Sequence, residues 1–325
     1  MEQAKFRPRI VCIVGQTACH KTECAIELAK RIDGEIVSAD SVQVYSGMDI
    51  GSAKPSMQER QGIPHHMIDC VPIDAAGFSV SEYRSLASAA IYGITARGRV
   101  PIVAGGSGLY CNALTYPLEF AIPRNDEMRA RLLAEYDEDR QRVVKRLMAV
   151  DPETANRLHP NDRKRIVRAL EVFECSGQSL SDFGNDFQNT AGEPAAFNAL
   201  LFGLNMERER LYARINSRVD QMMQAGLLDE AKRIFDLQYS VELPAMRSIG
   251  YQQLFTYFRK ECSLEEAVEK IKQDTRRFAK RQQTWFRRDE RIYWYDVTDY
   301  DAIKTNVFAD MTERAREFLK GTTTI

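Results

Sequence analysis

Short apolar runs alternate with longer helical patterns along the first third of the chain. The runs at 9–14, 35–39 and 100–106 read RIVCIV, EIVSA and VPIVAGG, and each contains β-branched residues and ends next to small or polar ones. Between them, residues 21–31 and 79–98 carry apolar side chains at helical spacing. Strands that alternate with helices are typical of a parallel sheet with crossover helices. We therefore predict an α/β fold.

The pattern changes in the middle of the chain. Residues 117–194 are dominated by charged, helix-forming segments such as RNDEMRARLLAEYDEDRQRVVKRLMAV, whereas strand-like runs return at 196–206 and 291–297. A helical segment placed between strands of one sheet is an insertion in the core fold. We predict a catalytic core formed by 1–116 and 195–325, with 117–194 as a mostly helical insertion.

Composition indicates an ordinary globular protein. Of 325 residues, 44% are hydrophobic and 28% are charged. No apolar run approaches the roughly 18 residues that a membrane-spanning helix needs, and the first residues, MEQAKFRPRI, lack the apolar segment of a secretory signal. We expect a cytoplasmic protein with no membrane partner. The seven cysteines are scattered and form no C-x-x-C pair, which argues against a disulfide framework or a zinc site.

The net charge of −1 says nothing about nucleic acid, but basic residues are concentrated locally. Between residues 270 and 291 there are nine basic residues and three acidic ones, which form a positive stripe. Arg210, Arg214 and Arg218 recur four residues apart, so they share one face of a helix. Such a face is usually solvated, but it can also bind an anion.

Residues 15–22, GQTACHKT, follow the first apolar run and nearly match the phosphate-binding motif G-x-x-x-x-G-K-[ST]. In such a loop, backbone N–H groups and the following helix dipole attract the anion. Lys21 would reach phosphate oxygens, and Thr22 would bind Mg²⁺. His20 stands where the motif has glycine, so the loop must shift or the ring must swing outward. An imidazolium there could also assist as a charged donor. From this stretch alone, a working phosphate site and a non-functional turn stay open.

Two further groups end at the same predicted edge of the sheet. Asp40 follows the second strand-like run, and Ser107 follows the glycine pair 105–106 after the third. Phosphate sites of parallel sheets lie at the carboxyl ends of the strands. A carboxylate there is more often a turn cap, and a glycine pair is more often a tight turn. Both readings are kept.

Six segments together resemble the tRNA dimethylallyltransferases, and they occur in the expected order with compatible spacing. The segments are ADSVQVYSGMDIGSAKPS, PHHMID, AGGSGLY, HPNDRKRIVRALEV, MRSIGYQQ and FAKRQQTWFR. The resemblance implies a P-loop NTPase-like α/β core with a helical insertion. It also implies transfer of a dimethylallyl group from its diphosphate to the exocyclic amine of the adenine on the 3′ side of the anticodon.

The resemblance assigns roles to single residues. It places the general base at Asp40, which would take a proton from a poorly nucleophilic adenine amine. Lys21, Arg218, and Thr22 with Mg²⁺ would stabilise the leaving diphosphate. Ser107 stands where the family has threonine. The loop departs from the family's G-P-T-A-S-G-K-T at three of its diphosphate-binding positions; the full set is Gly15, Gln16, Thr17, Ala18, Cys19, His20, Lys21 and Thr22.

The resemblance also implies contacts with the anticodon stem-loop of tRNA. The residues in question are Asp40, Ser41, Val42, Gln43, Arg129, Lys164, Arg165, Ile166, Val167, Arg168, Arg247, Ser248, Ile249, Gly250, Tyr251 and Gln252. Gln43 would read the edge of the target base. We expect tRNA and dimethylallyl diphosphate as partners and a monomer as the active form.

Two rival functions stay open from the sequence. The first is an adenylate isopentenyltransferase, which prenylates a free nucleotide and would not need the insertion or the basic C-terminal half. The second is a tRNA-binding relative whose phosphate loop is disabled by His20. A kinase is disfavoured because the matching segments extend far beyond the loop.

Overall fold

The structure, a computed structural model, describes residues 7–118, 125–183 and 195–321. In these ranges six strands form a parallel sheet with the spatial order β3-β2-β4-β1-β5-β6. The strands are β1 (Arg9–Gly15), β2 (Gly34–Ser38), β3 (His65–His66), β4 (Val100–Gly105), β5 (Asn198–Asn205) and β6 (Ile292–Asp296). The predicted α/β class is confirmed.

Twelve α-helices occur in the described ranges. They are α1 (Lys21–Ile32), α2 (Val80–Ala96), α3 (Gly108–Thr115), α4 (Asp126–Glu138), α5 (Arg140–Val150), α6 (Pro152–Arg157), α7 (Arg163–Ser176), α8 (Arg208–Gln224), α9 (Leu227–Asp236), α10 (Tyr251–Phe258), α11 (Leu264–Phe286) and α12 (Tyr300–Lys320). Within that part of the chain, no helix has both the length and the apolar character to cross a membrane.

The sheet is buried on both faces, as its near-continuous apolar strands require. In β1, Ile10, Cys12 and Val14 pack into one apolar cluster, whereas Val11 and Ile13 pack into the other. All five side chains are fully buried. Because alternate residues of a strand point to opposite faces, β1 joins two hydrophobic layers and fixes the position of the loop that follows it.

Contacts divide the chain into two compact units. One consists of Met1–Thr115 with Ala196–Ile325, and the other is Tyr116–Ala195. The second unit has its own core, in which Leu132, Leu147 and Leu170 from three helices are buried. Asp139, at the junction of α4 and α5, caps α5 by accepting from the backbone N–H of Arg142 at 3.0 Å.

The pair His65–His66, which the sequence leaves without a role, forms the short edge strand β3. His66 Nε2 lies 2.7 Å from the carboxylate of Glu35, and His65 Nδ1 lies 2.8 Å from the carbonyl of Ile63. Both rings therefore have protein partners that hold the edge of the sheet.

Candidate active site

The carboxyl ends of β1, β2 and β4 open into one cavity of about 880 Å³ in the unit formed by 1–115 and 196–325. Residues of α1, α8 and α11 complete its wall. Its volume lies within the range of roughly 300–1,000 Å³ that small-molecule sites have. We refer to it as the central cavity.

Residues 17–22 of the phosphate loop, Gly15–Thr22, line the central cavity at the end of β1. Gly15 has φ 141°, and a Cβ there would meet the carbonyl oxygen of Leu204 at 2.5 Å, so this position requires glycine. The ammonium group of Lys21 donates to the carbonyl of Gln16. Burial lowers the pKa of Lys21, and the negative charge of Asp40 opposes that shift. The loop thus keeps a cation and a carboxylate within electrostatic reach of each other.

His20 adopts a left-handed backbone with φ 61° and ψ 16° at the start of α1. Its ring stacks on Tyr300 with centroids 3.7 Å apart and an interplanar angle of 18°. Nδ1 lies 3.2 Å from a carboxylate oxygen of Glu23. The ring is thus held between Tyr300 and Glu23, while His20 also lines the central cavity. Burial lowers the pKa of His20 and Arg214 lowers it further, against the opposing effect of Glu23, so the neutral ring is favoured rather than an imidazolium.

Asp40 lines the central cavity. Its Oδ1 accepts from the backbone N–H groups of Val42 at 2.8 Å and Gln43 at 3.3 Å. One oxygen of Asp40 therefore caps the turn, as the sequence suggests. In the described ranges Oδ2 has no hydrogen-bond donor from the protein, so the same carboxylate can hold its loop and still accept a proton.

Arg218, on α8, lines the central cavity. In the described parts of the chain its guanidinium makes no hydrogen bond or ion pair. Burial lowers its pKa, with Asp40 opposing. Arg214 instead donates from Nε to the carbonyl of Ala18 in the phosphate loop at 3.0 Å. Arg210 is a solvated residue that lies 3.6 Å from Asp299. The three arginines of this helix face therefore differ: Arg218 lines the cavity, Arg214 bonds to the phosphate loop, and Arg210 is exposed to solvent.

The side chains of Ser107 and Gln43 are both hydrogen-bonded to other parts of the protein. Ser107 Oγ accepts from the backbone N–H of Ser41 at 2.9 Å, so its hydroxyl holds the Asp40 loop. The Gln43 amide accepts from Ser38 at 3.0 Å and donates to the carbonyls of Ser52 and Ala53 at 3.3 Å. Gln43 lines the cavity, but both ends of its amide are already used by the protein.

Gln282 on α11 links two loops of the site and was not singled out from the sequence. It is 6% exposed. Its Oε1 accepts from the backbone N–H of Thr17 at 2.8 Å, and its Nε2 donates to the carbonyl of Gly106 at 2.9 Å. A Cβ at Gly106 would collide with this side chain. The only signal was its membership of the matching segment FAKRQQTWFR.

Replacement of Gln282 by alanine is expected to lower kcat about tenfold and the free energy of unfolding by about 1–3 kcal/mol, because a buried N–H and a buried carbonyl lose their partner. Steady-state kinetics and chemical denaturation measure the two effects. Gln273→Ala, on the same helix but bonded to Lys270 at 3.0 Å, is the matched control. Equal behaviour of the two variants would remove Gln282 from the site.

The segment Arg247–Gln252 lies at the wall of the central cavity, with one exception. Arg247, Ser248, Ile249, Gly250 and Gln252 line the cavity. Tyr251 is fully buried, and its hydroxyl donates to Glu230 at 2.6 Å. The carboxylate of Glu230 also accepts from the backbone N–H groups of 49–51. Tyr251 therefore supports the loop that contains Gln43 instead of presenting its side chain to a ligand.

The residues predicted to contact tRNA in the unit Tyr116–Ala195 divide in the same way. Ile166 and Val167 are each 1% exposed and belong to the core of that unit. Arg129 and Arg168 both pair with the buried carboxylate of Glu171, at 3.1 Å for Arg168. Lys164 and Arg165 are exposed at the start of α7, where Arg165 pairs with Asp162 at 3.2 Å. The charge available to a partner is thus smaller than the count of basic residues suggests.

Arg281 is a further cation of the site that the sequence placed only within the basic stripe. It lines the central cavity, and its guanidinium lies 5.8 Å from the ring centroid of Phe278. Phe278 also lines the cavity. Because the residues on one side of a helix share a face, both residues reach the same wall.

A loop of the phosphate-binding type after the first strand, a carboxylate and a guanidinium without an ion pair in the described ranges line one cavity of a parallel sheet, as in an α/β protein with a P-loop-like core. Residues 43–289 match the family model for IPP transferase. The chain belongs to this family.

Relatives and solved structures agree with that assignment. The chain is 46% identical over 297 residues to a tRNA dimethylallyltransferase of Alkaliphilus metalliredigens, covering 90% of this chain and 93% of that one. It is 42% identical to that of Geobacillus kaustophilus, with 96% of each chain covered. A tRNA isopentenylpyrophosphate transferase structure from Bacillus halodurans superposes with a TM-score of 0.71, 37% identity and coverage of 97% and 98%. A eukaryotic dimethylallyltransferase acting on tRNA gives a TM-score of 0.85, 27% identity and coverage of 97% and 80%.

Proposed function

We propose that this protein is a tRNA prenyltransferase that transfers a dimethylallyl group from dimethylallyl diphosphate to the exocyclic amine of the adenine on the 3′ side of the anticodon. The observation that carries the proposal is the guanidinium of Arg218, which lines the central cavity and forms no ion pair with a protein carboxylate in the described ranges. A largely buried cation without an ion-pair partner favours an anionic ligand. The names of the relatives supply the class of that ligand and of the acceptor.

The donor's diphosphate fits the cationic side of the central cavity. Backbone N–H groups of the phosphate loop, Lys21 and Arg218 provide donors where negative charge grows as the bond between carbon and the diphosphate oxygen breaks. The short hydrocarbon group fits the apolar side, where Phe78, Tyr110 and Val219 line the cavity. The cavity lining therefore contains both cationic groups for the diphosphate and apolar groups for the hydrocarbon chain of a prenyl diphosphate.

The acceptor side is assigned to Asp40. The adenine amine is a poor nucleophile because its lone pair is delocalised into the ring. As the new bond between nitrogen and carbon forms, Oδ2 of Asp40 takes a proton from the amine, and diphosphate leaves. The target base must leave its stack to reach this oxygen, which costs least in a single-stranded loop. The anticodon loop of tRNA meets that requirement.

Mg²⁺ is part of the proposal, with Thr22 as its protein ligand. Thr22 is exposed at the start of α1 and lines the central cavity beside Lys21. In the described residues, no group of three or more His, Cys, Asp or Glu side chains could hold a metal ion. Mg²⁺ commonly keeps several waters and binds through one or two protein oxygens and substrate phosphates. When bound, the ion neutralises charge on the leaving diphosphate.

Two groups of residues are proposed to bind tRNA. The first is the cavity wall at Arg247–Gln252, and the second is the start of α7 at Lys164 and Arg165. Arg247 is paired with Glu242, and Arg165 is paired with Asp162. Phosphate groups of the RNA would have to compete with these carboxylates, so Lys164 supplies the strongest counterion release of the set.

The experiment is a measurement of diphosphate release from dimethylallyl diphosphate and unmodified tRNA in the presence of Mg²⁺. Release that requires tRNA, and that stops when guanosine replaces the target adenosine, is the expected result. Release with adenosine monophosphate instead of tRNA would favour the free-nucleotide enzyme. Binding of tRNA with no release under any condition would favour the tRNA-binding protein.

A further inference from the structure

Two residues of the phosphate loop that carry a Cβ, Ala18 and His20, have a left-handed backbone, with φ 64° and 61°. His20 has φ 61°, a left-handed conformation that a residue with a Cβ adopts only at an energetic cost. Such a conformation persists where surrounding contacts fix it. Glycine, which the motif has at this position, would need no such support. The contacts that hold His20 are therefore specific to a chain that carries a side chain here.

Those contacts come from the C-terminal helix α12. Tyr300, the first residue of α12, is 4% exposed and stacks on the His20 ring at 3.7 Å between centroids. The Tyr300 hydroxyl lies 3.7 Å from Sγ of Cys24, and its ring meets Phe308 edge-on at 6.2 Å. Tyr300 is thus fixed from two sides and provides a rigid surface for the imidazole.

Glu23 holds the other edge of the ring, since its carboxylate lies 3.2 Å from Nδ1. The imidazole is therefore confined between a side chain of α1 and the first residue of α12. Both His20 and Tyr300 lie outside the residues 43–289 that match the family.

We propose that His20 and Tyr300 are a pair of positioning residues: stacking on Tyr300 holds the left-handed backbone of His20 and keeps its ring out of the space that diphosphate occupies. The backbone of His20 leads directly into Lys21, so the same contact sets the direction of the catalytic lysine and of the first N–H groups of α1. The C-terminal helix thereby becomes part of the donor site. This inference rests on the proposed function for the identity of the loop's ligand.

The test is a double-mutant cycle with inorganic diphosphate as the probe in calorimetry. Tyr300→Leu keeps apolar volume but removes the stack, and it is expected to weaken binding about tenfold, the effect of about 1.4 kcal/mol of lost aromatic contact. Tyr300→Phe keeps the ring and should restore binding. His20→Gly removes the need for support, so adding Tyr300→Leu to it should cause no further loss. In steady-state kinetics, Tyr300→Leu should raise KM for the donor and leave KM for tRNA unchanged.

Several outcomes would overturn the inference. Tyr300→Leu could weaken binding equally with and without His20→Gly, which would show that Tyr300 acts through the fold alone. Unchanged affinity in Tyr300→Leu, with a normal melting temperature, would remove the stack from the donor site. Failure of the parent protein to bind diphosphate at all would overturn this inference together with the proposed function, whereas the first two results would leave that function intact.

Discussion

Replacement of Asp40 by asparagine is expected to lower kcat by at least about 100-fold, equivalent to about 3 kcal/mol in the activation barrier, while both substrates still bind. Asparagine keeps an oxygen that can accept from the N–H groups of Val42 and Gln43, as Oδ1 of Asp40 does at 2.8 and 3.3 Å. It cannot take a proton from the adenine amine. Asparagine therefore removes the general base but keeps the turn cap, whereas alanine would remove both.

Single-turnover kinetics with saturating donor and tRNA measure this effect, and calorimetry checks that binding is retained. Asp33→Asn is the matched control, because Asp33 is exposed and its left-handed conformation, with φ 53°, is one that asparagine also tolerates. Turnover of Asp40→Asn within a few-fold of the parent would leave Asp40 with its turn-cap role only.

The positions of three strands could be predicted because apolar runs of five to seven residues are a strong local signal. β1, β2 and β4 occur where the runs at 9–14, 35–39 and 100–106 place them, and their ends meet at one cavity. β3 was missed because it is a pair of histidines, whose pairing with β2 is set by tertiary contacts rather than by local pattern.

The site could be predicted only as far as local motifs define it. Lys21, Asp40 and Arg218 line one cavity, as their positions after strands and on a helix face suggest. Partners could not be predicted, because an ion pair or hydrogen bond depends on distant parts of the chain. The stack of His20 on Tyr300 joins residues 280 positions apart by their numbers, and Gln282 joins α11 to the phosphate loop. No spacing in the sequence encodes such contacts.

Replacement of Arg218 by methionine is expected to lower kcat for prenyl transfer by about 100-fold or more, because a cation is lost where charge grows on the leaving diphosphate. The stability of the protein should move differently. Arg218 forms no ion pair in the described ranges, and burial, the largest effect on its pKa, disfavours its charge, whereas Asp40 and Glu59 favour it. Methionine has similar length and no charge, so the free energy of unfolding should stay unchanged or rise by about 1 kcal/mol.

Kinetics and chemical denaturation of the same two proteins separate these effects. Arg210→Met is the matched control, since Arg210 lies on the same helix, is 65% exposed and pairs with Asp299. It should retain both activity and stability. Inorganic diphosphate should bind Arg218→Met more weakly than the parent, because the guanidinium acts on the leaving group. A variant at Arg218 that unfolds more easily and binds diphosphate normally would mean that this arginine supports the fold, and the anion site would then consist of Lys21 and the loop alone.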